Sequence, residues 1–288
     1  MLSTKQEAVI LQEAAINRFL LELRKEFSVD YLGYSRTFIS RRLSGFLQKV
    51  ELGNLELLLA LFRQREEYLT LLQSEMSINY TEMFRNPKFF ESLRKSVFPF
   101  LATYPTLNIW HAGCSSGEEV YSMAILLDEV GLLKRTKIIA TDKDDKVLEK
   151  AESATFDGAR LKEYTANYYN AGGRKEFSNY YSASYGQFKI REDVRKSISF
   201  MQHNLDTDKP FQKFNLILCR NVMIYFSPEM QDKVVGNMCA GLSNLGYLGL
   251  GSTETLSFNK YRHEFASINK SEKIYRKVSL SEWKNCKN

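Results

Sequence analysis

A turn that contains glycines and ends in two acidic residues is the part of the sequence best suited to bind a ligand. It spans Gly113 to Glu119 and follows the apolar run Leu107 to Trp110, and a helical pattern begins after it. Glycines let the backbone approach a ligand closely, and open α/β sheets bind ligands at the carboxyl ends of their strands. The glycine spacing is not that of a dinucleotide-binding turn. Glu118 and Glu119 would also repel a pyrophosphate at the helix N-terminus, so the expected ligand is cationic or neutral.

S-adenosylmethionine meets that requirement, since it has no phosphate and carries an ammonium and a sulfonium that a carboxylate can pair with. Gly113 is the residue at which we expect the backbone to approach this ligand. A second interpretation stays open at this point. Glu118 and Glu119 could be first-turn acids that stabilise the helix dipole and contact no ligand.

Polar residues that end predicted strands are the next candidates. Asp142 ends the second strand, where an acidic side chain reaches the ribose hydroxyls in dinucleotide-binding and related folds. Its alternative role is a helix N-cap, although Asp144 is better placed for that. Asn204 and Asn221 also end strands and could bond an adenine edge or an amino-acid group, but asparagine is common at such positions. Arg220 could equally be a structural ion-pair partner.

Metal and disulfide chemistry is not indicated by the sequence. The four cysteines contain no CxxC pair, and the three histidines lack the spacing of metal ligands. Cys219 lies within an apolar run and is expected to be a small buried hydrophobe, not a reactive thiol. We therefore expect neither a metal site nor a disulfide framework.

The composition is that of an ordinary globular protein. The chain has 288 residues, of which 44% are apolar and 26% charged. Its net charge of +6 favours acidic partners, but solubility explains a mildly basic protein equally well. Apolar runs such as Leu57 to Phe62 fall far short of the ~20 residues that span a bilayer, and Met1 to Ala8 lacks the features of a secretory signal. We expect a cytoplasmic monomer without membrane insertion.

The spacing of apolar residues changes along the chain. From Lys5 to Gln73 they recur every three to four positions, which predicts helices with breaks at Asp30 to Gly33 and at Gly53-Asn54. Beyond Asn79, short apolar runs alternate with helical segments, which favours a parallel sheet with crossover helices. The predicted fold class is therefore α/β, with a helical domain at the N-terminus.

A small antiparallel β-subdomain is expected to interrupt this alternation. Between Thr155 and Ser197 the alternation of apolar runs with helical segments stops. Within the Tyr-rich stretch Phe177 to Ile190, apolar and polar residues alternate as they do in short strands. The predicted organisation is an all-helical domain over residues 1–76 and an α/β domain over residues 77–288, with the β-subdomain inserted at about 156–197.

Five segments, in order and spacing, resemble the CheR family of chemotaxis receptor methyltransferases. They are Asn79 to Arg85, Ala112 to Ser122, Ala140 to Asp142, His203 to Leu205 and Cys219 to Phe226. The resemblance extends from roughly Asn17, through Tyr34 to Leu43, almost to the C-terminus. Met83 stands where the family usually has the first Phe of a Phe-Phe-Arg triplet, and Leu245-Gly246 replaces a Pro-Gly or Gly-Gly pair. Both departures change packing or a turn, and neither touches a predicted polar contact.

The resemblance implies a Rossmann-like methyltransferase domain after the helical domain, with S-adenosyl-L-methionine as cofactor and S-adenosyl-L-homocysteine as product. Of the acidic pair it favours Glu119. The resemblance implies cofactor contacts at Asn79, Thr81, Arg85, Glu119, Asp142, Asn204, Leu205 and Asn221. Gly113 of the turn and Val222 of the segment Cys219 to Phe226 complete the predicted cofactor site.

Arg85 and Tyr225 are implied to lie nearest the transferred methyl group and are the candidates for catalysis. The alternative is that Arg85 caps the preceding segment and Tyr225 packs against the sheet. A glutamate acceptor is already ionised near neutral pH, with a pKa of ~4.3, so the reaction needs no general base. Alignment of the reacting atoms in a water-excluded site should help more than a proton relay.

The resemblance implies that the partner is the cytoplasmic helical region of methyl-accepting chemotaxis receptors. Tyr34 to Val50 forms a predicted helix whose basic face could dock an acidic receptor helix, although a solvated face is the alternative. The basic residues of this helix are Arg36, Arg41, Arg42 and Lys49. The β-subdomain is a second candidate docking site.

Two other functions remain to be weighed. A CheR-like methyltransferase or a cofactor-binding scaffold could serve a signalling pathway other than chemotaxis. Nucleic acid is not expected as a substrate, because the sequence lacks an Asp/Asn-Pro-Pro-Tyr type of motif and its basic charge is modest.

Overall fold

The computed structural model of the protein describes residues 11–77 and 80–278. Within these ranges the chain forms two compact units. The first contains residues 11–77 together with Tyr225–Met230, and the second contains residues 80–224 and 231–278. The short segment Tyr225–Met230 thus belongs to the helical unit, although it is far from the rest of that unit in sequence.

The described part of the first unit contains four helices, α1 Glu13–Phe27, α2 Arg36–Lys49, α3 Leu55–Gln64 and α4 Glu66–Met76. Each helix buries one apolar face, as a three- to four-residue spacing requires. The Ser35 and Asn54 side chains cap α2 and α3 by accepting from main-chain N–H groups at 3.3 and 2.9 Å. The two breaks predicted from the sequence separate α1, α2 and α3, whereas the break at Arg65 was not predicted.

The described part of the second unit contains ten strands. They are β1 Leu107–Ala112, β2 Thr136–Asp142, β3 Thr155–Asp157, β4 Tyr181–Ser184, β5 Gln187–Ile190, β6 Ile198–Gln202, β7 Phe214–Cys219, β8 Leu242–Leu250, β9 Phe265–Asn269 and β10 Ile274–Lys277. Seven of them form one sheet in the order β6-β2-β1-β7-β8-β10-β9. The neighbours from β6 to β8 are parallel, and β10 is antiparallel to β8 and β9. The predicted parallel sheet is confirmed.

Helices connect and cover these strands. They are α5 Pro87–Ser96, α6 Phe98–Leu101, α7 Glu118–Glu129, α8 Asp145–Ser153, α9 Leu161–Asn170, α10 Glu192–Arg195 and α11 Pro228–Gly241. All six residues of β7 are buried, which is why the strand is apolar apart from Asn215, whose Oδ1 accepts from Asn108 N at 2.8 Å. The parallel strands place their carboxyl ends at one edge of the sheet, and the predicted polar residues follow those ends.

The insertion forms the small antiparallel sheet that the sequence predicts, with the strand order β3-β5-β4. Aromatic side chains make its core: the Phe156 and Phe188 ring centroids are 5.5 Å apart, and Tyr164 packs against Phe188 at 6.2 Å. Helix α9 lies between β3 and β4 and was not predicted. No helix in the described ranges is long and apolar enough to cross a bilayer.

Candidate active site

The turn after β1 is held in a conformation that favours glycine. Gly113 has φ +78°, and a Cβ atom there would lie 2.6 Å from Val222 Cγ2. The main-chain N–H groups of Gly113 and Cys114 donate to Thr141 O at 2.8 and 2.9 Å. The turn is therefore fixed to the end of β2, directly before Asp142.

Asp142 is half-buried at the end of β2, and its carboxylate organises the neighbouring loops. Its Oδ2 accepts from Ser115 N at 2.9 Å, and its Oδ1 accepts from Asp144 N at 3.2 Å. Burial raises the pKa of Asp142, although these main-chain donors oppose the shift. The Asp144 side chain caps α8 by accepting from Lys146 N at 2.9 Å, so the N-cap role belongs to Asp144. Each Asp142 oxygen retains the capacity to accept from a ligand hydroxyl.

The two glutamates that follow the turn have different surroundings. Glu118 is 7% exposed and accepts from Ser116 Oγ at 2.8 Å, and burial raises its pKa. Glu119 Oε1 lies 3.0 Å from His111 Nδ1, and its Oε2 accepts from Arg220 Nη1 at 2.7 Å. Burial alone would raise the pKa of Glu119, but the Arg220 charge and the His111 hydrogen bond outweigh it and lower that pKa to about 2. Glu119 is thus the residue that stays ionised under all ordinary conditions.

Arg220 links three parts of the site and makes the ion pair that the sequence left open. Its guanidinium is 1% exposed and stacks on Phe89 at 4.0 Å. Besides Glu119, it donates through Nη2 to Arg85 O at 3.1 Å and to Asn86 Oδ1 at 3.0 Å. The end of β7, the start of α7 and the segment before α5 are therefore joined through one buried cation.

Glu254 is a residue of the site that the sequence reasoning missed. It is 5% exposed, and its carboxylate accepts from the main-chain N–H groups of Asn221, Val222 and Met223 at 3.0, 3.0 and 2.8 Å, as well as from Gly251 N. Asn221 has φ +60°, so this acceptor supports a strained loop. The available signal was its position shortly after the apolar strand β8, which is the criterion that identified Asp142.

The segment that precedes α5 carries Thr81 and Arg85. Arg85 is half-buried, its Cζ lies 5.3 Å from the centre of the Tyr80 ring, and its Nη1 donates to Tyr80 O at 3.4 Å. Phe84 N donates to Ser122 Oγ at 2.8 Å, which attaches the segment to α7. Asn79, a predicted cofactor contact, lies outside the described residues.

Asn204 and Leu205 follow β6 and are both half-buried. His203 N donates to Asp142 O at 3.0 Å, so this loop begins beside the end of β2. Asn204 Oδ1 accepts from Asp206 N at 3.0 Å, and Asn204 N donates to Asp208 Oδ2 at 2.8 Å. The loop has a defined turn that presents Leu205 at the same sheet edge.

The second unit thus brings together the predicted residues that follow β1, β2, β6 and β7. Tyr225 is described within the first unit. There its main-chain O accepts from Ser35 N at 2.8 Å, and its ring lies 5.2 Å from the Phe38 ring of α2.

Cysteines and metal ligands add no further chemistry within the described ranges. Cys219 is fully buried, and burial raises the pKa of its thiol, as expected for a small hydrophobe. Among residues 11–77 and 80–278, no group of three or more His, Cys, Asp or Glu side chains is arranged to hold a metal ion.

The chemistry of the site fits S-adenosylmethionine. A permanent anion at Glu119 suits an ammonium, and the Asp142 carboxylate suits ribose hydroxyls. The acids of the first turn of α7 disfavour a phosphate at the same place.

Comparison with known proteins agrees with this geometry. The family model described as CheR methyltransferase, SAM binding domain, matches residues 79–274. A Pseudomonas putida protein named "Putative methyltransferase Cher3" is 39% identical over 268 residues, which cover 90% of this chain and 96% of that protein. The chemotaxis protein methyltransferase of Vibrio parahaemolyticus is 34% identical over 237 residues, 78% of this chain and 84% of that protein. The protein of the same name from Listeria monocytogenes is 28% identical over 259 residues, 87% and 93% of the two chains. The chain therefore belongs to the CheR methyltransferase family, and residues 79–274 are its S-adenosylmethionine-binding domain.

Proposed function

We propose that the protein methylates glutamate side chains in the cytoplasmic helical region of chemotaxis receptors and forms glutamate methyl esters. The observation that carries the methyltransferase part is the half-buried Glu119 anion, which lies beside a glycine turn that does not suit phosphate. The choice of glutamate in receptors is supported by the family match and by relatives named chemotaxis protein methyltransferases.

Residues at the sheet edge are proposed to hold the cofactor. Glu119 would pair with its amino group and Asp142 with its ribose hydroxyls, while Gly113 and Val222 would form the surface beside the turn. The remaining proposed contacts are Asn79, Thr81, Arg85, Asn204, Leu205 and Asn221. When bound, S-adenosylmethionine supplies a methyl group made electrophilic by its sulfonium.

Arg85 and Tyr225 are the proposed catalytic residues. The acceptor carboxylate is ionised at neutral pH, so these side chains need only orient it and shield it from water. A guanidinium at Arg85 suits a carboxylate, and its stacking on Tyr80 limits the positions that it can take.

Replacing Tyr225 by Phe tests this role. We expect kcat to fall about tenfold because one oriented hydrogen bond is lost, while S-adenosylhomocysteine affinity stays unchanged. Steady-state kinetics and calorimetry measure the two quantities, and Tyr185→Phe at a fully exposed tyrosine is the control. Unchanged turnover would remove Tyr225 from the mechanism.

The basic face of α2 is the proposed docking surface for the acidic receptor helix, and the inserted sheet is a second one. Arg41 is exposed and Arg42 is half-buried, whereas Lys49 already pairs with Glu75 at 2.6 Å. The free cationic character is thus concentrated near Arg41. We further propose that the protein acts in the cytoplasm as a monomer.

Reversing the charges in Arg41→Glu/Arg42→Glu tests docking. We expect the KM for receptor to rise more at low than at high ionic strength, since salt screens exposed charges beyond ~10 Å at 0.1 M. Arg18→Glu/Lys25→Glu, a double charge reversal at exposed residues of α1, is the matched control. The same loss at every salt concentration would contradict electrostatic docking.

The proposed reaction is tested by transfer of a labelled methyl group to receptor membranes. We expect alkali to release the label, as from a methyl ester. An alkali-stable product would contradict the carboxylate acceptor.

A second candidate function is methylation in another signalling pathway. The 39% identical relative is consistent with either function, because its name, "Putative methyltransferase Cher3", does not state the methyl acceptor. Co-purification of methylated proteins from the native cell would separate the two: receptors support the first function, and a different labelled protein supports the second.

A further inference from the structure

A guanidinium from the inserted subdomain reaches the segment that precedes α5. Arg160 lies outside the motifs shared with the family and directly before α9. Its Nη1 donates to Thr81 O at 2.9 Å, and its Nη2 lies 3.4 Å from Glu82 Oε2. Asn167 of α9 donates through Nδ2 to Met83 O at 3.2 Å. Two residues of the insertion, Arg160 and Asn167, therefore donate hydrogen bonds to the carbonyl groups of Thr81 and Met83 in the segment.

The side chains of the segment are tied to the same guanidinium. Arg85 and Arg160 both contact the Tyr80 ring, with Cζ atoms 5.3 and 5.8 Å from its centre. The Tyr80 hydroxyl donates to Glu82 Oε2 at 3.0 Å. Tyr80 is 60% exposed, so core packing does little to fix it. Its position depends on the two guanidinium groups and on Glu82.

The two ends of the segment are anchored differently. At the α5 end, Phe84 is fully buried and its N–H donates to Ser122. At the other end, Tyr80, Thr81 and Glu82 are exposed or half-buried, and Arg160 attaches them to the inserted subdomain. Loss of Arg160 should therefore loosen this end and leave the α5 end in place.

Arg160 is itself held by helix α9 and by the turn that precedes this helix. Its Nε donates to Glu163 Oε2 at 3.2 Å, and its Cζ stacks 4.7 Å from the centre of the Tyr164 ring. The turn that carries it is fixed by Gly158 N, which donates to Gly186 O at 2.8 Å. A Cβ atom at residue 158 would lie 2.6 Å from that same oxygen, so the contact requires glycine. The hairpin between β4 and β5 and helix α9 thus both help to fix the position of Arg160.

We infer that Arg160 is a positioning residue for S-adenosylmethionine binding: it holds Thr81 and, through Tyr80, the Arg85 side chain in place for the cofactor. The inserted subdomain then forms part of the methyl-transfer apparatus in addition to its proposed docking role. This inference rests on the proposed contacts of Thr81 and Arg85 but not on the identity of the methyl acceptor.

Arg160→Met tests the inference, because methionine retains the apolar stem that packs on Tyr164 but removes every donor. We expect S-adenosylhomocysteine affinity, measured by calorimetry, to fall about tenfold, which corresponds to the loss of charge-assisted hydrogen bonds. The KM for S-adenosylmethionine should rise in parallel while kcat changes less. Arg160→Lys should recover part of the affinity, since it restores the charge and one donor.

Arg191→Met is the matched control, because Arg191 lies in the same subdomain and its ion pair with Asp193 is exposed. The affinity of Arg191→Met for S-adenosylhomocysteine should equal that of the wild type. Affinity within twofold of wild type in Arg160→Met would overturn the inference, and so would an equal loss in both variants. Because ligand binding is measured without a methyl acceptor, failure of the glutamate assay leaves this result unaffected.

A double-mutant cycle separates positioning from general weakening of the fold. If Arg160 acts through the Arg85 segment, its replacement should cost less affinity in an Arg85→Met background than in the wild type. Additive losses would contradict the inference. Should Arg160→Met fold poorly, the cycle is run with Asn167→Ala, for which a smaller affinity loss and the same non-additivity are expected.

Discussion

Two glutamates at the same edge of the sheet, the half-buried Glu119 and the buried Glu254, are stabilised in opposite ways. Glu119 faces Arg220 and His111, which lower its pKa to about 2 although burial alone would raise it. The Glu254 carboxylate accepts hydrogen bonds from four main-chain N–H groups, and burial raises its pKa although these bonds oppose the shift. Arg220 thus keeps the Glu119 carboxylate ionised and able to pair with a ligand. The oxygens of Glu254 instead accept from main-chain N–H groups and stabilise the loop that begins at Asn221.

The largest effect is expected when the cation at Glu119 is removed. Arg220→Met leaves the half-buried Glu119 carboxylate without its guanidinium partner and should lower the free energy of unfolding by about 3–5 kcal/mol. Urea unfolding measures the loss. Arg63→Met breaks the exposed ion pair with Glu26 and should cost about 0–1 kcal/mol. Similar small losses in both variants would show that Arg220 does not determine the stability of the site.

The two glutamates should also respond oppositely to pH. The pKa of Glu119 falls from 4.5 to about 2 on folding, so its ionised form stabilises the fold above pH 4.5 and this contribution is lost as the pH falls towards 2. The stability difference between wild type and Glu119→Gln should shrink by about 2 kcal/mol between pH 7 and pH 3. A difference that stays constant over this range would contradict the lowered pKa.

The raised pKa of Glu254 makes its contribution to stability depend on pH in the opposite direction. Its contribution to stability is complete below its ordinary pKa of 4.5 and is lost as the pH rises through the folded-state value. The stability difference between wild type and Glu254→Gln should therefore grow as the pH falls. Urea unfolding of the three proteins over one pH series measures both trends.

A smaller loss is expected from Glu254→Gln at neutral pH. The new amide N–H₂ group faces main-chain donors, so the free energy of unfolding should fall by about 1–3 kcal/mol. Cofactor affinity should fall as well, because Asn221 and Val222 lose their acceptor. Glu149→Gln on the exposed side of α8 is the control. Unchanged unfolding and affinity would show that the loop keeps its shape without Glu254.

Local sequence patterns predicted the sheet edge well. Strands β1 and β7 are almost wholly buried, so their apolar runs stand out in the sequence. Strand β2 is partly buried and the edge strand β6 is largely exposed, but both still carry short apolar runs. The polar residues that follow these four strands could therefore be recognised by position. Strands β9 and β10 were not predicted, because they are only partly buried and their residues are mixed in polarity.

The contacts that complete the site depend on tertiary pairing and could not be predicted in this way. Arg220 and Glu119 are 101 residues apart, Arg160 and Thr81 are 79 apart, and Glu254 and Asn221 are 33 apart. The approach of the first pair follows from strand order, and that of the second follows from the fold of the insertion. Residue type and position alone left Glu118 and Glu119 equivalent, and only the family resemblance favoured Glu119. The physical difference between them lies in their partners, which are distant in sequence for Glu119.

The most direct measurement is calorimetric binding of S-adenosylhomocysteine to Glu119→Gln and Glu118→Gln at pH 7, with thermal unfolding to verify that both proteins are folded. We expect Glu119→Gln to bind at least about tenfold more weakly, because the carboxylate that pairs with the ligand ammonium is lost. Glu118→Gln should bind within about twofold of the wild type, because its carboxyl group bonds to Ser116. Equal affinities in the two variants would contradict the assignment of Glu119 as the cofactor-binding anion.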